Sequence, residues 1–436
     1  DASHTGHGAD YSADARRIIA SRGLRQFAYG MLGVTLAVAL TGSGFSPVAI
    51  GALITIAAAG DFCGTYIIGL AADRWGRRRT LVALAIIMAI TGAIFTLTRF
   101  YPALALAAFF GVLGSTNSET APFLPIEQAM LPQTCAPDRR TALFARYNLV
   151  ASLAGALGAL AAALPDLLAH VGLARSLGFN LIFWLYSACA LGVAWLVTRL
   201  SGAVEAPIHH LPARPATLAE PAEPAEPAGG WRGRLLLPLG GSRGIVLRLS
   251  GLFSVDALAG GLVTQSLLAL YFHLRFGASL TLLAALFFGA NLLSALSFLA
   301  AAPLARRFGL LNTMVFTHLP SNALLIAVAF MPTFPLAAGA LLLRQLLSQM
   351  DVPTRQAYTM ALVAPEERTA AASVTSLARS VGVSVSPIIA GALLTGALLA
   401  LGLPLIIGGA LKAGYDLALW GVFRRVAVPD ERGGKG

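Results

Sequence analysis

The chain has 436 residues, of which 57% are hydrophobic and only 12% are charged, and its formal net charge at pH 7 is +11. Soluble domains carry about 25% charged residues, so this composition excludes an ordinary water-soluble globular protein. The apolar residues fall in runs of about 20, the length that crosses a hydrocarbon core of about 30 Å. Stretches such as 81–95 and 323–330 are apolar on nearly all sides and not along one stripe. These features predict an all-α polytopic membrane protein.

The basic residues lie mostly at the ends of the apolar runs, which is the positive-inside pattern of membrane proteins. We therefore expect the lipid bilayer, and no nucleic acid, as a partner. The three cysteines, Cys63, Cys135 and Cys189, lie in or beside apolar segments without the spacing of metal ligands. We expect no disulfide, no metal site and no cofactor.

Twelve apolar runs are predicted to span the membrane, and they form two sets of six. The fourth run is predicted to be followed by an inner loop at 125–140. The first set covers about 27–40, 50–71, 81–97, 103–124, 141–164 and 177–197. The second set covers about 248–272, 279–302, 311–330, 335–352, 369–394 and 404–423.

A change of composition separates the two sets. Residues 201–234 are rich in Pro, Ala, Glu and Arg, and residues 219–227 repeat the triplet Ala-Glu-Pro. Regular proline breaks helices and the acids resist burial, so this segment is predicted to be an extended linker. The predicted domains are a cytoplasmic tail at 1–24, a six-helix bundle at 25–198, a cytoplasmic linker at 199–246, a second six-helix bundle at 247–426 and a cytoplasmic tail at 427–436.

The two halves repeat each other in sequence. Residues 125–129 (Pro-Ile-Glu-Gln-Ala) match 353–357 (Pro-Thr-Arg-Gln-Ala), and residues 136–142 match 364–370 with the same offset (353 − 125 = 364 − 136 = 228). The triplet Arg-Trp-Gly at 74–76 is echoed by Arg-Phe-Gly at 307–309. Two pseudo-symmetric bundles are therefore predicted.

A charged hinge at 69–78, Gly-Leu-Ala-Ala-Asp-Arg-Trp-Gly-Arg-Arg, lies between the second and third apolar runs. It resembles the G-x-L-a-D-R-x-G-R-(K/R) signature of the major facilitator superfamily, which lies between the second and third helices of those transporters. The resemblance covers about residues 25–426 and implies two six-helix bundles that rock around a site at the middle of the membrane. The matching residues are Gly69, Asp73, Arg74, Gly76, Arg77 and Arg78.

The resemblance implies that these six residues form a conformational latch. Asp73 would meet the start of the eleventh span when the cytoplasmic side is closed, because the free N–H groups of a helix start favour a carboxylate. The alternative is an anchor for topology with no conformational role. The second hinge has no aspartate at the corresponding position, so the latch is assigned to the first half alone.

Ionisable residues inside apolar runs are functional candidates by default, because a charge within a membrane helix is costly. Asp61 lies eight residues before Gly69 (69 − 61 = 8), which places it about 12 Å from the inner surface at about 1.5 Å per residue. Desolvation favours the neutral form of a carboxyl group, so Asp61 is the first candidate for carrying a proton. The other substrate or proton candidates are Asp256, Glu119, Asn117, Tyr29, Arg344 and Arg379.

Two further positions have a structural interpretation. Lys412 and Asp416 are spaced i, i+4 and are predicted to form a structural ion pair on one helix face. His318 precedes Pro320 and is expected only to line a kink.

The favoured function is secondary active transport by alternating access, with export of a small organic compound coupled to protons, because the hinge resembles that of drug–proton antiporters. No phosphate-binding loop, G-x-S-x-G or H-E-x-x-H pattern is present, so we expect neither an ATP-driven pump nor an enzyme. The alternatives are uptake of an organic anion through Arg344 and Arg379, or a non-transporting receptor or sensor on the same scaffold. We expect a monomer with both termini cytoplasmic, in the plasma membrane of a bacterium (its inner membrane).

Overall fold

Long helices make up the structure, a computed structural model that describes residues 12–114, 122–135, 140–205, 242–363 and 367–426. In these ranges every regular element is a helix. The first half contains α1 Ala13–Gly42, α2 Pro47–Trp75, α3 Arg77–Leu97, α4 Tyr101–Phe110, α5 Phe123–Met130, α6 Arg140–Ala161, α7 Leu164–His170 and α8 Arg175–Thr198, with short 3-10 turns at Leu131–Thr134 and Gly202–Val204. The second half contains α9 Arg243–Leu262, α10 Gln265–Phe276, α11 Leu280–Phe308, α12 Leu310–Phe330, α13 Phe334–Ser348, α14 Asp351–Leu362, α15 Arg368–Leu393, α16 Gly396–Ala400 and α17 Leu403–Phe423.

Ten stretches of the described chain are helical, long and apolar enough to cross a membrane, with α6–α7 and α9–α10 each forming one such stretch. The fourth and tenth spans of the structure are each divided into two shorter helices, α4–α5 and α13–α14, and the second helix of each lies mostly beyond the predicted span. The prediction of an all-α polytopic fold is confirmed.

Local sequence explains where the first two spans begin. The Ser12 hydroxyl accepts a hydrogen bond from the Ala15 amide at 3.1 Å, and the Ser46 hydroxyl accepts one from the Ala49 amide at 3.2 Å. A serine in this position satisfies one of the free N–H groups of the first helical turn. Pro47 begins α2, where its fixed φ suits the helix and its missing N–H is not needed.

Two glycines make the tight hinges between long helices in the two halves. Gly76 joins α2 to α3 with φ of 92°, and Gly309 joins α11 to α12 with φ of 82°. A side chain is strained at such φ values, whereas glycine is not. The hinge repeat seen in the sequence is thus matched by the backbone.

Several predicted boundaries are corrected by the structure. Helix α1 begins at Ala13, inside the predicted tail 1–24, because the Ser12 cap extends it past the apolar run. Residues 125–130, predicted as loop, are the greater part of α5, and the predicted seventh span at 248–272 is interrupted at 263–264. Predicted tail and linker residues 1–11, 206–241 and 427–436 lie outside the described residues.

Large apolar side chains cover the outside of the bundle. Ile90, Leu191, Trp195, Leu299 and Phe316 are each more than half exposed. In water such a surface would aggregate, but a lipid bilayer is a suitable solvent for it. The exterior therefore agrees with a membrane location.

The helices of each half pack closely on one another, and the halves meet where α2 contacts α15, α6 contacts α11 and α1 contacts α10. We call the end of the bundle that carries Gly76 and Gly309 the hinge end. The opposite end, which carries the turns at 43–46, 98–100 and 277–279, is the far end.

The hydrogen bonds between the halves, within the described residues, lie in the far-end half of the helices. A close approach of α2 and α15 accompanies them: a Cβ atom at Gly51 would lie 2.3 Å from the carbonyl oxygen of Pro387. The bonds join the Ile388 amide to Thr55 Oγ1 (3.0 Å), the Thr281 amide to Asp166 Oδ2 (3.0 Å) and Gln265 Nε2 to the Gly30 carbonyl (3.4 Å).

Candidate functional site

A buried ion pair joins α1 to α5 in the first half. Arg25 donates from Nη1 to Glu127 Oε1 at 2.8 Å and from Nη2 to Oε2 at 2.6 Å. The Tyr147 hydroxyl donates to the same Oε2 at 2.5 Å, and the guanidinium lies 4.2 Å from the centre of the Phe123 ring. A bidentate pair of this kind is strong and fixes the orientation of both side chains. The pair therefore holds α5, the second helix of the fourth span, against α1.

Asp61 lies near this pair but is not part of it. Its carboxyl group is buried on α2 and has no hydrogen bond or ion pair to any described residue. Among the described residues, Tyr29 of α1 and Tyr186 of α8 are close enough to interact with its charge. Asp61 is therefore held in a dry setting without a fixed cation.

The segment that packs next to Asp61, at the end of α4, leaves the helical conformation. Helix α4 ends at Phe110, and a Cβ atom at Gly60, next to Asp61, would lie 1.8 Å from the Phe109 carbonyl oxygen. Gly114 has φ of 59° and lies against the Tyr29 ring, where a Cβ atom would be 2.4 Å from the ring. Interrupted helices line the solute and ion sites of many transporters.

In the second half, one carboxylate is surrounded by three cations. Asp256 of α9 accepts from Lys412 Nζ at 2.6 Å and from Arg379 Nη1 at 2.9 Å, and Arg355 Nη1 lies 3.5 Å from it. Arg355 also bonds Asp351 at 2.7 Å, one turn earlier on α14. Four helices, α9, α14, α15 and α17, thus meet at Asp256.

A second buried carboxylate of this half is bonded to an amide and an imidazole. Asp416 of α17 accepts from Asn322 Nδ2 at 2.8 Å and is bonded to His318 Nδ1 at 2.9 Å, both on α12. His318 was expected only to line a kink, and the structure gives it a carboxylate partner instead. The predicted pair of Lys412 with Asp416 is corrected too, because Lys412 points to Asp256 on α9 while Asp416 points to α12.

Two buried arginines lack a carboxylate partner in the described part of the chain. Arg22 lies 5.2 Å from the Tyr147 ring centre, and its Nε and Nη1 atoms have no hydrogen bond. Arg344 of α13 bonds Gln345 Oε1 at 2.7 Å through Nη1, and its Nε atom has no partner. A buried donor without an acceptor is costly to a fold, so such atoms are candidates for binding an anionic ligand.

The two halves carry opposite charges at equivalent positions. Glu127 and Arg355 are related by the repeat offset (355 − 127 = 228), and each is buried on the second helix of a divided span. Their partners are Arg25 and Asp256. The repeat offset places Asp256 at the equivalent of position 28 (256 − 228 = 28), which is three residues, less than one helical turn, from Arg25. In the first half an acid, Glu127, pairs with a base on α1. In the second half the equivalent residue is a base, Arg355, which lies against an acid on α9.

The hinge of the first half is bound by a carboxylate from the chain that follows α8. Glu205 accepts from the Arg77 amide at 2.7 Å and from the Arg78 amide at 3.2 Å, and it therefore caps the start of α3. The side chains of Asp73 and Arg74 and the surroundings of Gly69 lie outside what the structure describes.

The site residues predicted from sequence divide into four groups. Asp61 and Tyr29 lie near each other in the first half, Asp256, Arg379 and Lys412 form one cluster in the second, and Arg344 bonds Gln345 on α13. Glu119 and Asn117 lie outside the described residues. Sequence reasoning missed Arg25, Glu127, Asp351 and Arg355, although the opposite charges of Glu127 and Arg355 in the repeat were a usable signal. Among the described residues, no group of three or more His, Cys, Asp or Glu side chains could hold a metal ion.

Comparisons with known proteins agree with this architecture. The family model of the Major Facilitator Superfamily matches residues 18–387. Uncharacterized membrane protein YJR124C of Saccharomyces cerevisiae (strain ATCC 204508 / S288c) is 29% identical over 421 residues, covering 94% of this chain and 93% of that protein.

Solved structures show the same fold at low sequence identity. The nucleoside transporter NupG has a TM-score of 0.71 and 14% identity, covering 94% of this chain and 99% of that chain. A bacterial homologue of the human lysosomal transporter Spinster, in an inward-facing and unoccupied conformation, has a TM-score of 0.67 and 16% identity, covering 96% and 99%.

Proposed function

We propose that this chain, which belongs to the major facilitator superfamily, couples the movement of a small organic solute to protons by alternating access. Membership of this family makes the chain a membrane transporter of a small molecule and not an enzyme. Export is the direction that the hinge pattern favours.

The observation that carries proton coupling is the isolation of Asp61. Every other buried carboxylate in the described part of the chain has a hydrogen-bond or ionic partner, whereas Asp61 has none. A carboxyl group in such a setting is most stable when it is neutral, and it needs water or a ligand cation to ionise. The partnered acids are Asp14, Glu127, Asp166, Asp256, Asp351 and Asp416.

The position of Asp61 supports coupling of its protonation to the solute. It lies beside the non-helical stretch at 111–114 and next to Tyr29, whose buried hydroxyl has no partner among the described residues. A solute that enters this region changes the polarity around the carboxyl group, and the gain or loss of a proton follows from that change. Proton binding and solute binding at one place are thermodynamically linked.

Reconstituted vesicles test this proposal. Purified protein in proteoliposomes is given a pool of small organic acids, amines and nucleosides under an imposed pH gradient of either direction. Mass spectrometry identifies what accumulates, and an internal pH dye reports proton movement. We expect accumulation only with a gradient, and Asp61→Asn is expected to retain solute exchange while losing proton movement. Cys63→Ser, two residues along the same helix and half-buried, is the matched control.

Three results would decide against parts of the proposal. Accumulation that ignores the gradient in the wild type would exclude proton coupling. Proton movement that persists in Asp61→Asn would assign the proton to another group. A protein that moves no member of any pool but still binds one with a change of conformation would favour a receptor or sensor.

A specific observation favours an organic anion as the solute, which keeps anion uptake as the second candidate. Arg344 is buried, its Nε atom has no partner, and its Nη1 atom is bonded only to a neutral amide. Arg379, the other arginine proposed from sequence, is already bound to Asp256. An anionic group on the solute would supply the missing acceptor, so Arg344 is the better candidate for holding it.

Competition among solutes tests the anion proposal. Arg344→Gln is expected to weaken binding of carboxylate-bearing solutes by about tenfold or more, as expected for loss of a charge-assisted hydrogen bond. Neutral solutes from the same pool are expected to bind as before. Arg248→Gln, an exposed arginine on α9, controls for the change of net charge. Equal losses in both variants would remove Arg344 from the site.

The latch remains a proposal that rests on the hinge pattern. Asp73 is proposed to bind the start of α15 when the hinge end closes, because the first N–H groups of a helix favour an anion. Asp73→Asn is expected to lower the transport rate while the amount of folded protein stays unchanged. Unchanged transport would reduce the hinge to a topology anchor.

The charge distribution supports a cytoplasmic hinge end. Arg77, Arg78, Arg306 and Arg307 flank the two hinges, and basic residues concentrate on the cytoplasmic side of membrane proteins. We propose that both termini and the linker are cytoplasmic, that the membrane is a bacterial plasma membrane, and that a monomer is the working unit. Cysteine labelling of exposed hinge-end and far-end positions in whole cells tests the orientation, and light scattering of the purified protein tests the monomer.

A further inference from the structure

A cavity of about 310 Å³ lies at the far end, away from Asp61 and from the cations around Asp256. It is enclosed by the end of α1, the end of α3, the start of α8 and the end of α10, so both halves contribute to its wall. No acidic side chain is among its lining residues. The lining combines three aromatic rings with three basic side chains, namely Phe95, Phe179, Phe183, Arg99, Arg175 and His273.

Arg99 has unused donors beside the cavity. Its Nη1 atom donates to the Phe95 carbonyl at 2.5 Å and to the Thr98 carbonyl at 3.2 Å. These bonds satisfy carbonyl groups at the end of α3 and fix the position of the guanidinium. In the described part of the chain, its Nε and Nη2 atoms have no acceptor. The Arg99 side chain is exposed at this end, and its planar guanidinium presents the remaining N–H groups in a fork that suits a multidentate anion.

Arg175 links the cavity to the contact between the halves. Its Nη2 atom bonds Asp166 Oδ1 at 2.7 Å, and the other oxygen of Asp166 accepts from the Thr281 amide at the start of α11. The guanidinium lies 6.0 Å from the Phe179 ring centre. A ligand on Arg175 therefore adjoins a hydrogen-bonded chain that joins α8 to the second half.

The start of α8 favours an anion in the same place, and His273 completes the wall. Ser176 lines the cavity in the first turn of α8, where Ala174 provides no side-chain cap, so the N–H groups of that turn have no side-chain acceptor. His273 bonds the Ala278 carbonyl through Nδ1 at 2.9 Å. This bond fixes the ring of His273 at the wall of the cavity, with Nδ1 donating to the carbonyl, so the ring contributes shape and not a donor for the anion.

We infer that this cavity binds an anionic amphiphile, with a phosphate-like headgroup between Arg99 and Arg175 and a short apolar body against Phe95, Phe179 and Phe183. Its volume is at the lower end of the range of about 300–1,000 Å³ found for ligand pockets, so the apolar body is short. The site is distinct from the proposed transport site and does not depend on proton coupling.

The ligand would shift the equilibrium between the closed and open far end, because the two halves share the wall of the cavity. Arg99 and Arg175 belong to the first half and His273 to the second. Separation of the halves at the far end would divide the cavity, so a ligand that binds only the intact cavity stabilises the closed far end. Such a ligand would slow transport without competing with the solute.

Binding of hexyl phosphate to the full-length protein in nanodiscs of neutral lipid tests the site. Titration calorimetry is expected to show saturable binding to the wild type and at least about tenfold weaker binding to Arg99→Ala and to Arg175→Ala. Arg275→Ala removes an exposed arginine of the same end that does not line the cavity, and it is expected to bind as the wild type does. Absent binding in a folded wild type, or equal affinities in all four proteins, would overturn the proposal.

Two further arms identify the chemistry of the ligand. Inorganic phosphate is expected to bind much more weakly than hexyl phosphate, and equal affinity would overturn the role of the aromatic rings. If phosphatidylglycerol in the nanodisc competes with hexyl phosphate, the natural ligand is a lipid headgroup. If it does not compete, the natural ligand is a soluble amphiphile.

A distance measurement tests the conformational effect separately. Spin labels at Val171 and Leu401, exposed far-end positions in the two halves, are placed on a cysteine-free background. Hexyl phosphate is expected to narrow the distance distribution toward its shortest component. A distribution that broadens or shifts to longer distances would contradict stabilisation of the closed far end.

Discussion

The two halves of this transporter carry buried residues of opposite charge at the equivalent position of α5 and α14. In the first half, Glu127 on α5 is neutralised by one arginine of α1 in a bidentate pair. In the second half, the equivalent position carries Arg355, and Asp256 of α9 holds it together with Lys412 and Arg379. The pair in the first half is balanced, whereas the cluster in the second half contains more cations than the single carboxylate at its centre.

This difference suggests a division of tasks between the halves. Because Glu127 and Arg25 satisfy each other, Asp61 has no fixed cation among the described residues, which is the basis for proposing it as the proton carrier. Because Asp256 and Asp351 are engaged with other cations, Arg344 keeps an N–H group without an acceptor. We therefore expect mutations in the first half to affect protons and mutations in the second to affect the solute, and each prediction below tests part of that contrast.

The largest effect is expected for Glu127→Gln. This change leaves Arg25 charged, buried and without its bidentate partner, which costs about 3–5 kcal/mol for a broken buried pair. Folded protein after extraction is measured by size-exclusion chromatography with fluorescence detection and by thermal unfolding. The exchange Arg25→Glu with Glu127→Arg is expected to recover part of the loss. Wild-type stability of Glu127→Gln would show that the pair contributes nothing to folding.

A smaller loss of stability is expected for Asp256→Asn. Three cations lose their shared acceptor, but Arg355 keeps Asp351 and Arg379 is partly exposed to water. We expect a loss of about 1.5–3 kcal/mol, the size of a lost hydrogen bond to a charged group. Thermal unfolding in detergent measures the loss, with Asp61→Asn as the comparison. Because Asp61 has no partner to lose, its variant is expected to unfold at or above the wild-type temperature, and a larger loss there than in Asp256→Asn would contradict the contrast.

Much of the fold could be predicted from sequence because the signals are local and strong. Apolar runs set the spans, and the glycines at 76 and 309 mark the hinges. The breaks in the fourth, seventh and tenth spans were not predicted, since each is only a few described residues long and lies next to residues that suit a helix. Gly114, for example, has a positive φ and lies against the Tyr29 ring, a tertiary contact that the local sequence does not reveal.

The site was predictable only in part, because ion pairing is decided by tertiary contacts. Lys412 and Asp416 are neighbours on one helix, yet each side chain binds a residue of a different helix. Glu127 falls in the predicted loop 125–140 and Arg355 lies between two predicted spans, although both side chains are buried in the structure. Comparing the charges at equivalent positions of the repeat would have identified both residues.

A test of the contact between the halves is Gly51→Ala. The added Cβ atom would lie 2.3 Å from the Pro387 carbonyl oxygen, and neighbouring backbone on α15 is also close. Such overpacking costs about 1–2 kcal/mol and acts against the closed far end. Spin-label distances across the far end are expected to lengthen, with Gly42→Ala as a control because its Cβ atom would meet nothing within 4 Å. Unchanged distances in Gly51→Ala would mean that this contact does not hold the halves together.

The smallest effect is expected at the hinge of the first half, where Glu205 caps α3. Glu205→Gln keeps an acceptor oxygen but removes the charge that favours a helix start, which is worth about 0.3–1 kcal/mol. Glu205→Ala removes both acceptors for the Arg77 and Arg78 amides and is expected to cost about 0.5–2 kcal/mol, as for loss of a helix cap. Hydrogen exchange of the first turn of α3 measures both variants, and protection should fall in the order wild type, Gln, Ala. If the turn exchanges equally fast in all three proteins, the carboxylate does not stabilise the hinge. The first turn of α12, at the hinge of the second half, is the internal reference: Glu205 bonds the Arg77 and Arg78 amides of α3, so exchange in α12 should be unaffected by either change.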